Sequence, residues 1–254
     1  MKILVSVTTV VTILVNMLAV LLPINGLTTS QVSDMFATYF VPAGYVFSIW
    51  GIIYIGMIIY TIYQFLFVTD KQRANFSEIA QWYLIAGLAN CIWIFLWQYE
   101  YFVATIFMMI LLLISLAAIK IEMKKVVDQS KKYIWMVKIP FEIYLGWISV
   151  ATIANVTDVL FSLGYTGNGY AITLAIVMMG VACLLALVML FKENSIPFAV
   201  VVIWAIIGIG VKFSTVDDLV VTSIIVGCVL AGGIIVKLLL PPLVSARLKN
   251  HGKK

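Results

Sequence analysis

Residues 79–121 read IAQWYLIAGLANCIWIFLWQ, then YEY, then FVATIFMMILLLISLAAIKI: two runs of 20 mostly apolar residues separated by three. Glu100, in the connection, is the only charged residue between positions 79 and 119. A helix of about 20 apolar residues is long enough to cross the hydrocarbon core of a bilayer. A connection of three residues forces the two helices to lie antiparallel. The stretch therefore predicts a hairpin of transmembrane helices.

The same pattern continues along the whole chain of 254 residues, of which 64% are hydrophobic and 11% are charged. A soluble domain carries about 25% charged residues, so little of this chain is left for a domain outside the membrane. We therefore predict an all-α integral membrane protein with eight transmembrane helices. The predicted spans are residues 2–24, 45–68, 79–98, 102–121, 136–160, 170–191, 196–213 and 219–240.

The basic residues divide unevenly between the two sides of the membrane. Fifteen of the 16 Lys and Arg residues fall at the two termini or in the loops after spans two, four and six, and only Lys212 falls on the other side. Because basic loops stay cytoplasmic, this division predicts a multi-pass protein of the cell membrane with both termini in the cytoplasm. The basic stretch 120–138 is expected to lie against anionic lipid headgroups. The net charge of +5 follows from these loops and does not indicate nucleic-acid binding.

The first 24 residues also resemble a signal peptide, since Lys2 precedes an apolar run that ends at Pro23. The run of about 20 residues exceeds the usual apolar region of roughly 7–15 residues in such peptides. We therefore interpret it as a retained first helix.

The residue inventory gives little support to metal or acid–base catalysis. Cys91, Cys183 and Cys228 lie inside predicted spans, and the only histidine, His251, lies in the basic tail. This pattern predicts no disulfide framework, no thiolate metal site and no haem ligated by histidine. We expect no required cofactor and no enzyme activity of the usual nucleophile–base kind.

The predicted outer loop 25–44 carries its own helical pattern. Thr28, Thr29 and Ser30 are residue types that cap helix N-termini. Apolar residues then follow at the spacing of an amphipathic helix. They are Val32, Met35, Phe36, Tyr39 and Phe40. We predict a helix over 29–40, which lies either on the membrane surface or as a lid over a cavity that opens outward.

Four predicted spans each carry polar or aromatic residues on one helical face, a placement that needs a reason inside a membrane. The faces are Thr9, Thr12 and Asn16; Phe47, Trp50, Tyr54, Met57 and Thr61; Asn90, Trp93 and Trp97; and Tyr144, Trp147, Ala151 and Asn155. Such faces suit a flat, mostly apolar ligand that stacks on rings and is oriented by a few hydrogen bonds. The alternative is that they only hold helices together, with Asn90 and Asn155 bonded to neighbouring helices.

Three motifs on these faces carry a resemblance to a known family. Residues 42–54 read PAGYVFSIWGIIY, residues 90–93 read NCIW and residues 147–155 read WISVATIAN. They resemble the P-P-G-W-V-F-G-P-V-W-T-x-x-Y, N-x-x-W and W-x-x-x-A-T-x-x-N motifs on the second, third and fifth helices of the TspO/MBR family, the translocator or tryptophan-rich sensory proteins. The resemblance covers about residues 1–163.

This resemblance implies a five-helix bundle whose cavity, capped by the first loop, binds a porphyrin, another tetrapyrrole or a sterol for transport or sensing. It also implies a possible homodimer, and light-dependent porphyrin breakdown is ascribed to the family. The residues that match by position are Trp50, Trp93, Trp147 and Asn155, together with Tyr54, Asn90 and Ala151. Trp204 lies outside the motifs and is predicted not to contribute.

The composition changes near residue 163, because six of the seven tryptophans precede it. We predict a five-helix ligand-binding unit over 1–163, a three-helix extension over 164–240 and a basic cytoplasmic tail over 241–254.

Two charges inside predicted spans suggest further roles. Glu142 lies four residues from Lys138 near a helix N-terminus, which favours a structural ion pair between them. The alternative function is a secondary transporter of a small solute in which Glu142 is the coupling site. Lys212 lies at a helix C-terminus close to Asp217 and Asp218, where a cation is favoured.

Overall fold

The computed structural model describes residues 1–22, 24–36, 38–127, 130–165, 167 and 169–239, and the predicted basic tail 241–254 lies outside them. The described chain is almost entirely helical and contains no strand. The helices are α1 (Lys2–Leu21), α2 (Thr29–Ser33), α3 (Ile49–Leu66), α4 (Arg73–Gln98), α5 (Phe102–Lys124), α6 (Lys131–Tyr133), α7 (Ile139–Ser162), α8 (Ala171–Lys192), α9 (Ile196–Lys212) and α10 (Asp217–Leu239). Short 3₁₀ turns cover Ile24–Gly26, Gly44–Ser48 and Asp70–Gln72, and a π-helical segment, Ile134–Lys138, joins α6 to α7.

Each predicted span appears as an apolar helix. Among the described residues, seven helical segments are long and apolar enough to cross a membrane, and α9 is a shorter apolar helix of 17 residues. The prediction of an all-α integral membrane protein is confirmed. Some helices extend beyond the predicted span: α4 begins at Arg73 rather than at residue 79. Hydropathy marks the part of a helix inside the bilayer and does not detect polar turns outside it.

Five of the long helices form a closed ring. Around the ring, α1 packs on α3, α3 on α7, α7 on α5, α5 on α4, and α4 on α1 again. Glycines allow close approach at two of these contacts. A Cβ atom on Gly87 of α4 would lie 2.3 Å from Thr8 Cγ2 of α1, and one on Gly56 of α3 would lie 2.9 Å from Pro140 Cβ of α7. Small residues at such contacts let helix backbones pack closely without a hydrophobic driving force in lipid.

The last three helices pack on one another outside the ring, and α9 also packs along α7. At that contact the backbones are close, since a Cβ atom on Gly146 would lie 3.3 Å from Phe198 Cα. The extension is therefore attached to the ring mainly through α9. The division into a ligand-binding unit and an extension stays a prediction about function.

The outer loop differs from its predicted form. Thr28 caps α2, and the Gln31 side chain accepts from the Thr28 backbone N–H in return, but the helix ends at Ser33 rather than at residue 40. Thr38 Oγ1 instead donates to Asp158 Oδ1 of α7 at 2.8 Å. A buried hydrogen bond to a carboxylate outweighs the weak helical preference of a few residues. We call residues 28–36 and 38–46 the cover segment.

Candidate functional site

An apolar cavity lies inside the five-helix ring, between α3, α4, α5 and α7 and beneath the cover segment. Its volume is about 40 Å³. That is room for a few water molecules and far below the roughly 300–1,000 Å³ of pockets for drug-sized ligands. Its lining residues are Thr29, Ser33, Pro42, Phe47, Trp50, Asn90, Trp93, Trp97, Met109, Leu112, Trp147, Ile148, Val150, Ala151, Ala154, Asn155 and Asp158.

Five aromatic side chains contribute to the cavity wall. Trp93 and Trp97, one turn apart on α4, stack with ring centroids 5.4 Å apart and planes 17° apart. Trp147 on α7 meets Trp50 on α3 edge to face at 6.4 Å. Trp97 Nε1 donates to the carbonyl of Thr29 at 3.1 Å, which fixes the cover segment to α4. The wall presents flat apolar faces that favour another ring system.

Buried donors without acceptors lie beside these rings. Trp93 Nε1 and Trp147 Nε1 have no hydrogen-bond partner among the described residues. The same holds for the amide nitrogen of Asn90, whose oxygen accepts from Asn16 Nδ2 at 2.6 Å. Leaving a buried donor unpaired costs about 1–3 kcal/mol, so such groups call for an explanation.

The structure brings six of the seven predicted site residues to one cavity. They are Trp50, Asn90, Trp93, Trp147, Ala151 and Asn155. Asn155 is also tied to a neighbouring helix, because its Nδ2 donates to Thr105 Oγ1 of α5 at 2.9 Å. Tyr54 is not among the lining residues and stacks on Trp50 at 5.7 Å. Contact of these residues with a ligand stays a prediction.

A second, larger space adjoins the cavity. This groove lies between α1, α3 and the cover segment and has a volume of about 410 Å³. Tyr54 faces it together with Asn16 and Ser48. Thr29, Phe47 and Trp50 line both spaces, so these side chains form the partition between cavity and groove.

Asp158 is a cavity residue that the sequence analysis missed. Its side chain is 1% exposed, lines the cavity and accepts hydrogen bonds from Thr38 and from Ser33 Oγ, the latter at 3.4 Å. It follows Asn155 at i+3 on the face that the sequence had identified on α7. An acidic residue inside a membrane helix was the signal that could have found it.

The one predicted ion pair has a different partner in the structure, and Lys212 also forms an ion pair. Glu142 pairs with Lys120 of α5 rather than with Lys138, and it does not line the cavity. Lys212 pairs with Asp34 of the cover segment rather than with the aspartates that follow it in sequence. Sequence spacing reveals partners on the same helix and cannot reveal those on a neighbouring element.

Trp204, predicted not to contribute, does not line the cavity. It does touch the cover segment, because its Nε1 donates to the carbonyl of Val46 at 3.1 Å.

A comparison with protein families gives one result for this chain. The sequence profile of the family described as TSPO-like protein matches residues 2–236. The chain has no significant match among curated proteins or among solved structures. Since the profile covers nearly the whole chain, the chain belongs to the TSPO-like protein family. The match continues past residue 163 through α8 and α9 and into α10.

Proposed function

We propose that this TSPO-like membrane protein binds a hydrophobic, planar ligand that carries hydrogen-bond acceptors, with a porphyrin or related tetrapyrrole as the first class to test and a sterol as the second. The observation that carries the proposal is that Trp93 and Trp147 line an apolar cavity while their buried indole N–H groups have no hydrogen-bond partner among the described residues. Binding is the step that transport and sensing share.

The energetics favour a ligand with both a ring face and acceptors. Stacking against an aromatic side chain contributes about 0.5–1.5 kcal/mol beyond the burial of area. An acceptor that reaches an unpaired indole N–H also removes the cost of that buried donor. A purely aliphatic molecule would gain neither contribution, whereas the carboxylates of a porphyrin supply acceptors at the edge of a flat ring.

A ligand as large as a tetrapyrrole can fit only if the partition between the cavity and the groove moves. The cavity of about 40 Å³ is too small for a tetrapyrrole, but the adjoining groove has a volume of about 410 Å³. Together the two spaces reach the range of ordinary ligand pockets. Trp50 is half-buried between them, so rotation of its side chain joins them. We infer that the ligand occupies both spaces and that Trp50 moves when it binds.

The test is a titration of the purified full-length chain with protoporphyrin IX, followed by the Soret band and by tryptophan fluorescence. We expect a Soret shift and quenching in the wild type. Trp93→Phe and Trp147→Phe keep a ring but lose the N–H donor, so each is expected to weaken affinity about two- to tenfold, the range for one hydrogen bond. Alanine at either position also removes the ring and is expected to weaken binding further.

Trp82→Phe is the matched control, because Trp82 lies on α4 outside the cavity lining. It is expected to bind like the wild type. Equal affinities in folded Trp93→Phe, Trp147→Phe and Trp82→Phe would show that these indoles only pack, and would overturn the proposed site.

A further inference from the structure

The cover segment is fastened to α9 by backbone and side-chain contacts. The backbone N–H of Ala43 donates to the carbonyl of Gly208 at 3.1 Å, and Trp204 Nε1 donates to the carbonyl of Val46 at 3.1 Å. Lys212 forms an ion pair with Asp34. These contacts extend over about two turns of α9, from Trp204 to Lys212, so the helix holds the segment at several points rather than at one.

Two contacts between aromatic rings also join the cover segment to α9 and to the residue that follows it. Tyr45 meets Trp204 edge to face with centroids 5.3 Å apart, and Tyr39 meets Phe213, just beyond α9, at 5.1 Å. Edge-to-face contacts of this kind are attractive, so they add to the attachment of the segment.

Gly208 shows how close the two elements are. A Cβ atom at this position would lie 2.2 Å from Val46 Cγ2 and 3.2 Å from Pro42 Cβ. Val46 is fully buried, so it has little space to yield. Any side chain at position 208 would push the cover segment away from α9. The backbone of α9 therefore packs directly against the cover segment, in addition to the contacts that its side chains make.

We propose that α9 holds the cover segment closed over the cavity, so that Gly208, Trp204 and Lys212 are positioning residues that set the rate at which molecules reach the cavity. On its other side the segment is held by the ring itself, through Asp158 of α7 and Trp97 of α4. On this proposal α9 controls access to a cavity that it does not line. The consequence for ligand binding rests on the proposed function, whereas the effect on access to the cavity does not.

The test measures access without a ligand. In the full-length chain, Cys91, Cys183 and Cys228 are replaced by alanine, and Ala151→Cys places a thiol on the cavity wall. The rate of its reaction with a small water-soluble methanethiosulfonate is then measured. Trp204→Phe, which removes one hydrogen bond and keeps a ring, is expected to raise the rate about two- to tenfold. Gly208→Ala is expected to raise it more.

Gly180→Ala on α8 is the matched control, because a Cβ atom there would meet no atom within 4 Å. Its labelling rate is expected to equal that of the parent. Lys212→Asp is expected to raise the rate by placing two carboxylates together, and Asp34→Lys in the same chain is expected to restore it. That rescue separates positioning from general loss of structure.

Labelling rates that stay at the parent value in both Trp204→Phe and Lys212→Asp, in folded protein, would overturn the proposal, as would failure of the charge swap to restore closure. With protoporphyrin IX as probe, the same variants are expected to raise association and dissociation rates together and to leave Kd nearly unchanged. Failure of porphyrin binding alone would count against the proposed function and would leave the labelling result standing.

Discussion

Lys120 and Glu142 form an ion pair between α5 and α7, and their side chains are only 9% and 1% exposed. Attraction between two buried charges is largely offset by the loss of their hydration, so the pair adds little net stability. Removal of one partner is different, because it leaves an uncompensated charge. The alternative role of Glu142 as a coupling site gains no support from its position, since it does not line the cavity.

We therefore predict that Lys120→Met lowers the free energy of unfolding by about 3–5 kcal/mol, the usual cost of an orphaned buried charge. The double variant Lys120→Met/Glu142→Leu is expected to recover most of that loss. Denaturant unfolding in mixed micelles measures both. A double variant as unstable as Lys120→Met would show that packing of the lysine stem, rather than the lost pairing, is responsible.

Single residues also show what sequence can and cannot predict. The spacing of Trp147, Ala151 and Asn155 along one helical face was enough to place them on one cavity wall, because helix geometry is local. That Trp93 and Trp147 lack acceptors depends on which atoms surround them, which no spacing reveals. The same limit hid the partner of Glu142, which lies 22 positions away on α5.

At the scale of whole elements, hydropathy predicted every long helix because each must satisfy its own backbone hydrogen bonds in lipid. The outer loop is subject to no such requirement. Its helix ends at Ser33 because the following residues bond to α7 and pack on α9, contacts that a short periodic pattern cannot foresee. The close contact of Gly208 with Val46 could not be predicted from the sequence either, since glycine occurs in membrane helices for several structural reasons.

A salt bridge joins α5 to the connection between α8 and α9. Lys124 of α5 lies 2.6 Å from Glu193, in the connection between α8 and α9. The ammonium group beside this carboxylate lowers the pKa of Glu193 below its usual value. A carboxyl group with a lowered pKa stabilises the fold above its unfolded pKa of about 4.3, and that stability is lost as the pH falls through the lower folded value.

We predict that Glu193→Gln costs no more than about 1 kcal/mol at pH 7, because both side chains are partly exposed and solvent screens the pair. The difference between wild type and variant is expected to shrink toward zero as the pH falls below about 4. Thermal unfolding in detergent at pH 7 and pH 3 measures the two differences. A difference that persists unchanged at pH 3 would assign the effect to packing of the side chain rather than to its charge.

At the scale of the whole molecule, α9 decides the topology. Its 17 residues extend about 26 Å, slightly less than a hydrocarbon core of about 30 Å. Its two ends nevertheless reach opposite ends of the five-helix ring. Glu193, just before α9, pairs with Lys124 at the end of α5, whereas Lys212, at its end, pairs with Asp34 in the cover segment. The helix therefore runs the length of the bundle, as a transmembrane helix does.

If α9 crosses as well, we predict eight crossings in all, which puts the N-terminus and the chain beyond α10 on the same side. Because basic residues stay cytoplasmic in membrane proteins, we predict that this side faces the cytoplasm. The single exception, Lys212, forms an ion pair with Asp34. We predict that reporters fused at the N-terminus and at the C-terminus both report a cytoplasmic location, and that a reporter inserted in 163–170 reports the opposite side. If α9 did not cross, the N-terminal and 163–170 reporters would be unchanged, and only the C-terminal reporter would lie outside. That reporter therefore tests the eight-helix topology separately from the orientation of the first five helices.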